Sequence, residues 1–343
     1  MQQIPRLRLA HTPTPLQRLP RLAERLGVDL WIKRDDASGG VEAGNKIRKL
    51  EYLLADALAR RADLVMTCGA LQSNHCRATA ALAARLGLRC RVFLRAEDPS
   101  APLPLHGNAL LMQLLGAEIT LISAAEYRER EALMSAEARR LERLGRRPYL
   151  IPEGGSNGLG SLGYVAAMEE VRQQLDAGLA DGRPFDLIVH ACGSGGTAAG
   201  VALGAALHGV APRVVAAAVC DSAAYFDRIA ARIDQEAREL VPSLPPPASL
   251  SFEDRWKGPR YGVSSPEQLR FLVDVARSTG LLLDPVYTGK ALFTLNRLVA
   301  TDPALLGKRV LFLHTGGLPG LLAEGEALGP ELLETVQRGV VCW

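Results

Sequence analysis

Aromatic residues make up only 5% of this chain, and its 6 cysteines (68, 76, 90, 192, 220 and 342) contain no C-x-x-C pair and no zinc-like spacing. With so few rings, leucine, alanine and valine must fill the core. Without metal-ligand spacing no metal site is expected, and reduced thiols in a cytoplasmic protein are the simplest reading. Neither charge sign dominates: 40 basic residues face 37 acidic ones, a formal +3. That balance lacks the electrostatic footprint of a nucleic-acid or anionic-membrane partner. The arginine-rich stretch from Arg139 to Arg147 reads as the wet face and end of a helix. No apolar run approaches the roughly 18 residues of a membrane span. The start, Met1-Gln2-Gln3-Ile4-Pro5-Arg6, lacks the apolar stretch of a secretory signal.

Present instead is a repeated alternation of apolar runs with helical stripes. Strands are expected at Leu30–Lys33, Asp63–Cys68, Arg89–Leu94, Glu118–Ile122, Leu187–Cys192, Val214–Val219 and Val310–His314. Helices are expected near 46–60, 75–86, 107–115, 124–145, 161–178, 196–208 and 222–239. A strand that returns parallel needs a crossover, so the series predicts an α/β protein with parallel-rich sheets covered on both faces. With 343 residues, 48% of them hydrophobic, the chain is too long for one compact sheet and long enough for two domains. Pro242 to Pro247 reads as a loop. No internal repeat or low-complexity tract stands out.

In such folds ligands collect beyond the carboxyl ends of strands, where loops lead into helix N-termini. Four loops there are rich in small and polar residues. In Gly44-Asn45-Lys46, Asn45 is a good N-cap, which puts Lys46 at the first helical position. The positive end of the helix dipole there favours the neutral amine, the form that attacks an aldehyde. Alone, Lys46 reads more readily as a surface lysine after a cap. The second loop ends Ser73-Asn74-His75, residues that could cap a helix or surround a carboxylate or a cofactor hydroxyl. The third, Gly193-Ser194-Gly195-Gly196-Thr197, supplies backbone and hydroxyl donors suited to a phosphate. It also fits G-x-G-x-x-A, with Asp221 ending the next strand, so a dinucleotide oxidoreductase is a rival. The fourth, Thr315-Gly316-Gly317, offers a hydroxyl to a heterocycle nitrogen or is a plain glycine turn. Beside them, Asp284 to Lys290 reads as a turn into a helix and carries Tyr287, a phenol that could move protons. A cofactor with one phosphate, one aldehyde and one ring nitrogen would use a candidate from each; a dinucleotide would leave Lys46 and the Ser73-Asn74 loop unexplained.

At these residues the chain resembles the family of D-cysteine desulfhydrases and 1-aminocyclopropane-1-carboxylate (ACC) deaminases. Those are pyridoxal-phosphate enzymes of the tryptophan-synthase-β-like fold (fold type II). The resemblance runs in order from residue 11 to 317 through HTPTPLQRLPRL, WIKRDD, GNKIRKLEYLLADAL, QSNHCRATAALAARLGL, IPEGGSNGLGSLGY, GSGGTAAG, YGV, LLDPVYTGKA and HTGG. It implies two open sheets, with a smaller domain at 47–157 inserted into a larger one at 1–46 and 158–343. It implies a Schiff base between pyridoxal 5'-phosphate and Lys46, and Asn74 on the cofactor's phenolic oxygen. Gly193, Ser194, Gly195, Gly196 and Thr197 would hold the phosphate, and Thr315 would face the ring nitrogen. Ser73, Asn74, His75, Tyr261, Tyr287, Thr288 and Gly316 would border the substrate, with Ser73, Tyr261 and Tyr287 sharing the catalytic work. A homodimer is the family's expectation.

ACC deaminases carry Tyr-Glu where this chain has Tyr287-Thr288. Opening a cyclopropane without an α-proton needs more help at the ring, so loss of that carboxylate tilts the reading toward desulfhydrase. Ala43 departs from the family's glycine pair ahead of the lysine. The expectation is α,β-elimination from D-cysteine, a small amino-acid substrate, giving pyruvate, ammonia and hydrogen sulfide. ACC deamination and L-cysteate sulfo-lysis are the alternatives within the family.

Overall fold

Alternation along the strands decides where the cores lie. In the computed structural model, which describes residues 4–330, Leu30 and Ile32 face one core while Trp31 faces another. Val310 and Phe312 likewise oppose Leu311 and Leu313. A strand whose two faces are both covered reads as an unbroken apolar run, which is why these segments were legible. Cys342 lies outside the described residues.

The chain enters one sheet through β1 (Leu16–Arg18) and β2 (Asp29–Lys33), with α1 (Pro20–Leu26) between them. After α2 (Asn45–Ala59) it builds a second sheet from β3 (Leu64–Ala70), β4 (Arg89–Arg95), β5 (Glu118–Ile122) and β6 (Pro148–Leu150). The helices of that stretch are α3 (Asn74–Arg85), α4 (Gly107–Leu114), α5 (Ala124–Arg128) and α6 (Arg130–Arg143). It then crosses α7 (Gly158–Asp176) back to the first sheet through β7 (Leu187–Cys192), α8 (Gly196–His208), β8 (Arg213–Ala218), α9 (Ala223–Leu240) and β9 (Ser249–Glu253). Next come α10 (Pro266–Thr279), α11 (Thr288–Thr301), β10 (Arg309–Leu313) and α12 (Leu318–Ala323). The larger sheet runs β1-β2-β10-β7-β8-β9 and the smaller β5-β4-β3-β6. Every pairing is parallel except β1 with β2.

All seven expected strands are present within two residues at each end, and the expected helix at 124–145 breaks at Glu129. The three strands not expected, β1, β6 and β9, are edge strands with partly exposed residues and no clean apolar alternation. Three helices not expected are α1, α10 and α12, whereas α11 follows the turn expected at Asp284 to Lys290. The signal for α10 is plain in retrospect: Ser265 and Gln268 form a reciprocal capping box with Pro266 at the first turn.

What positions the site is the packing of α7 between α2 and α8. A Cβ at Gly163 would stand 2.2 Å from the Arg48 carbonyl oxygen of α2, and one at Gly200 2.2 Å from the Ser161 carbonyl oxygen of α7. Only glycine permits approaches that close. They draw the start of α2, which carries Lys46, toward the start of α8, which follows the glycine loop. A buried ion cluster fastens the same helix. The Arg48 guanidinium forks onto Asp35 at 2.7 and 2.8 Å and reaches Glu170 at 3.0 Å. Lys33 donates to Glu170 at 2.5 Å, and Tyr164 donates to Asp35 at 2.6 Å.

Candidate active site

A narrow cleft lies between the two sheets. Its walls are Asn45 and Lys46 from α2, Asn74 from α3, Ala191 to Gly195 and Thr197 at the end of β7, Tyr287, and Thr315 after β10. Amine and glycine loop therefore share one chamber. The link between them is direct: the Asn45 side-chain amide donates to the Thr197 hydroxyl at 3.1 Å, although the two are 152 positions apart.

That bond corrects one expectation. Asn45 is not the cap of α2 but its first residue, and Gly44 holds the cap position at φ +119°. A Cβ at Gly44 would meet the Thr315 carbonyl oxygen at 2.8 Å, so glycine lets the two loops touch. The Asn45 N–H donates to that same oxygen at 3.0 Å, placing Lys46 beside Thr315. Burial lowers the Lys46 amine to about 8, against weaker opposition from Cys192 and Glu153.

At the other end of the cleft, Gly196 faces Ser156 and Lys49. A Cβ there would stand 2.7 Å from the Ser156 hydroxyl and 2.9 Å from the Lys49 ammonium, so glycine keeps this end open. The start of α8, the Thr197 hydroxyl and Lys49 together form a donor set for a compact polyanion. Lys49 now donates to the Gly154 carbonyl at 3.1 Å and to Ser156 at 3.2 Å, and the Ser156 and Ser194 hydroxyls are bonded at 2.9 Å. Burial first, and the charge on Lys46 second, hold Lys49 well below the usual lysine range. Sequence reasoning missed Lys49, yet it lies three residues after Lys46, on the same helical face. It also assigned no role to the segment carrying Gly154 and Ser156.

The tyrosines occupy the opposite wall. Asp284 sets Tyr287 in place by accepting from the N–H groups of Val286, Tyr287 and Thr288 at 2.8–3.0 Å. The Tyr287 hydroxyl lies 2.5 Å from that of Tyr261. Burial, and then its neighbour Tyr261, push Tyr287 well above the usual phenol range, so it is protonated and not a phenolate. Tyr261 also lines a wider vestibule with Arg95, Tyr127, Arg130, Glu153 and Tyr225.

Three expected substrate contacts are not among the residues that line the cleft. Ser73 caps α3, accepting from the Cys76 N–H at 3.1 Å. His75 is buried against Thr67 at 2.9 Å, and burial holds its pKa well below the histidine range, so it is neutral. Thr288 is fully buried and donates to Asp284 at 2.7 Å. His75 and Thr288 are captured by nearby partners, whereas the Ser73 hydroxyl accepts one bond and keeps its own proton to donate. Gly316 does not line the cleft but serves its backbone, with its N–H on the His314 ring at 3.2 Å. Asn74 does line it, and its side-chain oxygen accepts from Asn108 at 3.0 Å. Burial raises the thiols of Cys76, Cys90 and Cys192 to about 12. Among the described residues, no helix is long and apolar enough to cross a membrane.

An amine made nucleophilic by burial, opposite a helix start able to hold a polyanion, defines a protein that captures an aldehyde with a phosphate tail. The profile described as pyridoxal-phosphate dependent enzyme matches residues 7–316, and the chain belongs to that family. Its cofactor is therefore pyridoxal 5'-phosphate, and the donor set above fits it; the dinucleotide alternative falls. The chain is 44% identical, over 91% of its length and 78% of the relative's, to the mitochondrial bifunctional D-cysteine desulfhydrase/1-aminocyclopropane-1-carboxylate deaminase of Arabidopsis thaliana. It is 39% identical to a D-cysteine desulfhydrase of Yersinia pestis, covering 94% of this chain and 97% of that one. A solved ACC deaminase homologue superposes with a TM-score of 0.85 at 37% identity, covering 96% of this chain and 97% of its own.

Proposed function

We propose that this enzyme catalyses the α,β-elimination of D-cysteine to pyruvate, ammonia and hydrogen sulfide. The observation that carries the reading is the single chamber shared by Lys46, the Gly193–Thr197 loop and Tyr287, closed by the Asn45–Thr197 bond. The names of the relatives supply the substrate class.

In this reading Lys46 would bind the cofactor aldehyde and Asn74 its phenolic oxygen. Gly193 to Thr197 and Lys49 would hold the phosphate, and Thr315 would face the ring nitrogen. Bound there, pyridoxal phosphate supplies a sink for the electron pair left on the substrate's α-carbon. The remaining work falls to the protein. Lys46, with an amine lowered to about 8, would be the base that takes the substrate's α-proton. The Tyr287 hydroxyl, bonded to Tyr261, stands ready to deliver a proton to the leaving sulfur. Burial of the cleft keeps competing water from the reacting carbon.

Residues 47–157 act as a smaller unit inserted into a larger one (1–46 and 158–343), supported by the separate sheet that β3 to β6 form. We also take the enzyme to be a cytoplasmic homodimer. Leu105, Leu114, Leu318 and Leu322 are more than half exposed around the packed helices α4 and α12, which supports self-association. Sedimentation velocity tests it.

The deciding experiment is a substrate panel of D- and L-cysteine, β-chloro-D-alanine, D- and L-serine, L-cysteate and ACC, with keto-acid detection. D-cysteine should be the best substrate, and Lys46→Ala should be inactive. Faster 2-ketobutyrate formation from ACC would overturn the assignment, and turnover of L-cysteate alone would move it to the sulfo-lyase alternative.

A further inference from the structure

Lys290 belongs to no wall of the cleft, yet it is a fully buried cation whose three donors each meet a backbone carbonyl. The oxygens come from two places. Lys257 (2.6 Å) and Arg260 (3.3 Å) belong to the loop between β9 and α10, and Val219 (3.4 Å) follows β8. The titratable groups acting on it are the Cys220 thiol, which burial keeps protonated, and the Asp284 side chain, and among the described residues no carboxylate forms an ion pair with it. Burial lowers its amine to about 8, so near neutrality it is mainly the charged, three-donor form.

A buried cation with no carboxylate in contact among the described residues is a costly way to fill space, and a methionine would pack there more cheaply. What the ammonium adds is a fixed meeting point for segments that otherwise have no regular structure. Arg260 immediately precedes Tyr261, and Lys290 lies three residues after Tyr287 in the first turn of α11. The same helix start thus grips the loop twice: through Lys290 on the carbonyl of residue 260, and through the Tyr287 hydroxyl on that of Tyr261. A third tie runs from the Ser264 hydroxyl to the Pro285 carbonyl at 2.6 Å.

We propose that Lys290 is a positioning residue that fixes the 257–261 loop and so holds the Tyr261 hydroxyl against Tyr287. The proposal rests on the reading of the tyrosine pair as the proton-delivering group. Its test is a cycle of Lys290→Met, Tyr261→Phe and the double variant, all as holoenzymes, with amide hydrogen exchange across 256–263 and D-cysteine kinetics. Lys290→Met should keep the cofactor absorbance, exchange faster in that loop and lose about 10- to 100-fold in kcat with little change in KM. In the Tyr261→Phe background the same substitution should change kcat by less than about twofold, because the hydroxyl it positions is gone. Lys290→Gln, which can still reach the carbonyls, should fall between wild type and the methionine variant, and it is the variant read if methionine prevents folding. Unchanged exchange, or full additivity in the cycle, would overturn the proposal. If wild type itself fails to turn over D-cysteine, the functional reading falls, while the exchange data still decide whether Lys290 holds the loop.

Discussion

Arg48→Met removes the fork that ties α2 to the larger sheet. The buried cluster balances two cations, Lys33 and Arg48, against two anions, Asp35 and Glu170. Removing Arg48 deletes two bonds to Asp35, which is 1% exposed, and leaves a net negative charge in the interior. Breaking one side of a buried pair typically costs about 3–5 kcal/mol. Lys33 still faces both carboxylates, and Thr14 and Tyr164 still donate to Asp35. The expected loss is therefore at the lower end, about 3 kcal/mol.

The pH dependence gives this prediction a sign. In the wild type, burial alone would raise the Asp35 carboxyl, but Arg48 outweighs it and holds the group below the usual carboxylate range. Its contribution is thus complete above that range and disappears as pH falls through the depressed value. In the variant burial wins, the carboxyl rises, and the penalty is greatest at neutral pH and shrinks as acid protonates it. Urea unfolding at pH 7.5 and pH 5, followed by circular dichroism and cofactor absorbance, measures both effects. Asp35→Asn added to Arg48→Met should recover part of the loss, since the stranded charge is then gone. A loss below about 1 kcal/mol at pH 7.5, the range of an exposed pair, would refute the reasoning.

Three further outcomes follow from the cleft. Cofactor loading of the apoenzyme, read by visible absorbance, should accelerate as pH rises through about 8, where the Lys46 amine becomes neutral; an apparent pKa near the ordinary lysine value of about 10.4 would contradict its burial. Tyr287→Phe should retain the cofactor spectrum and lose about 10²- to 10⁴-fold in kcat, as removal of a general acid does, and an unchanged rate would reduce the phenol to packing. Lys49→Met should weaken pyridoxal phosphate binding far more than that of pyridoxal, which has no phosphate, and equal weakening, measured by equilibrium titration, would remove Lys49 from the anion site.

The architecture was legible where both faces of a strand are buried, as at Leu187–Cys192, because covering both faces demands an apolar run. It was illegible at the edges, where β9 keeps every residue at least partly exposed and so has no pattern to read. The loops carrying the site stood out for a different reason: small and polar residues after such runs are what a helix start facing a ligand requires. Composition identifies a loop, however, and not the direction of each side chain within it. Thr288 has the right chemistry for substrate and is captured by Asp284 four positions away, and Ser73 is drawn into capping α3 by the Cys76 N–H three positions away. Such local bonds form without help from the fold and compete with any role in the cleft.

The link on which the site depends was the least accessible to sequence, and the reason is geometric. Asn45 satisfies every rule for a helix cap, yet Gly44 occupies that position and the asparagine reaches Thr197 instead. Nothing near residue 45 specifies this contact. It follows from how closely α2, α7 and α8 approach, which Gly163 and Gly200 permit, and from how firmly Arg48 holds α2 in that place. All three residues lie outside the cleft. The distance between the amine and the anion site is therefore set by residues that touch neither cofactor nor substrate, so the reach of Lys46 is a property of helix packing before it is one of chemistry.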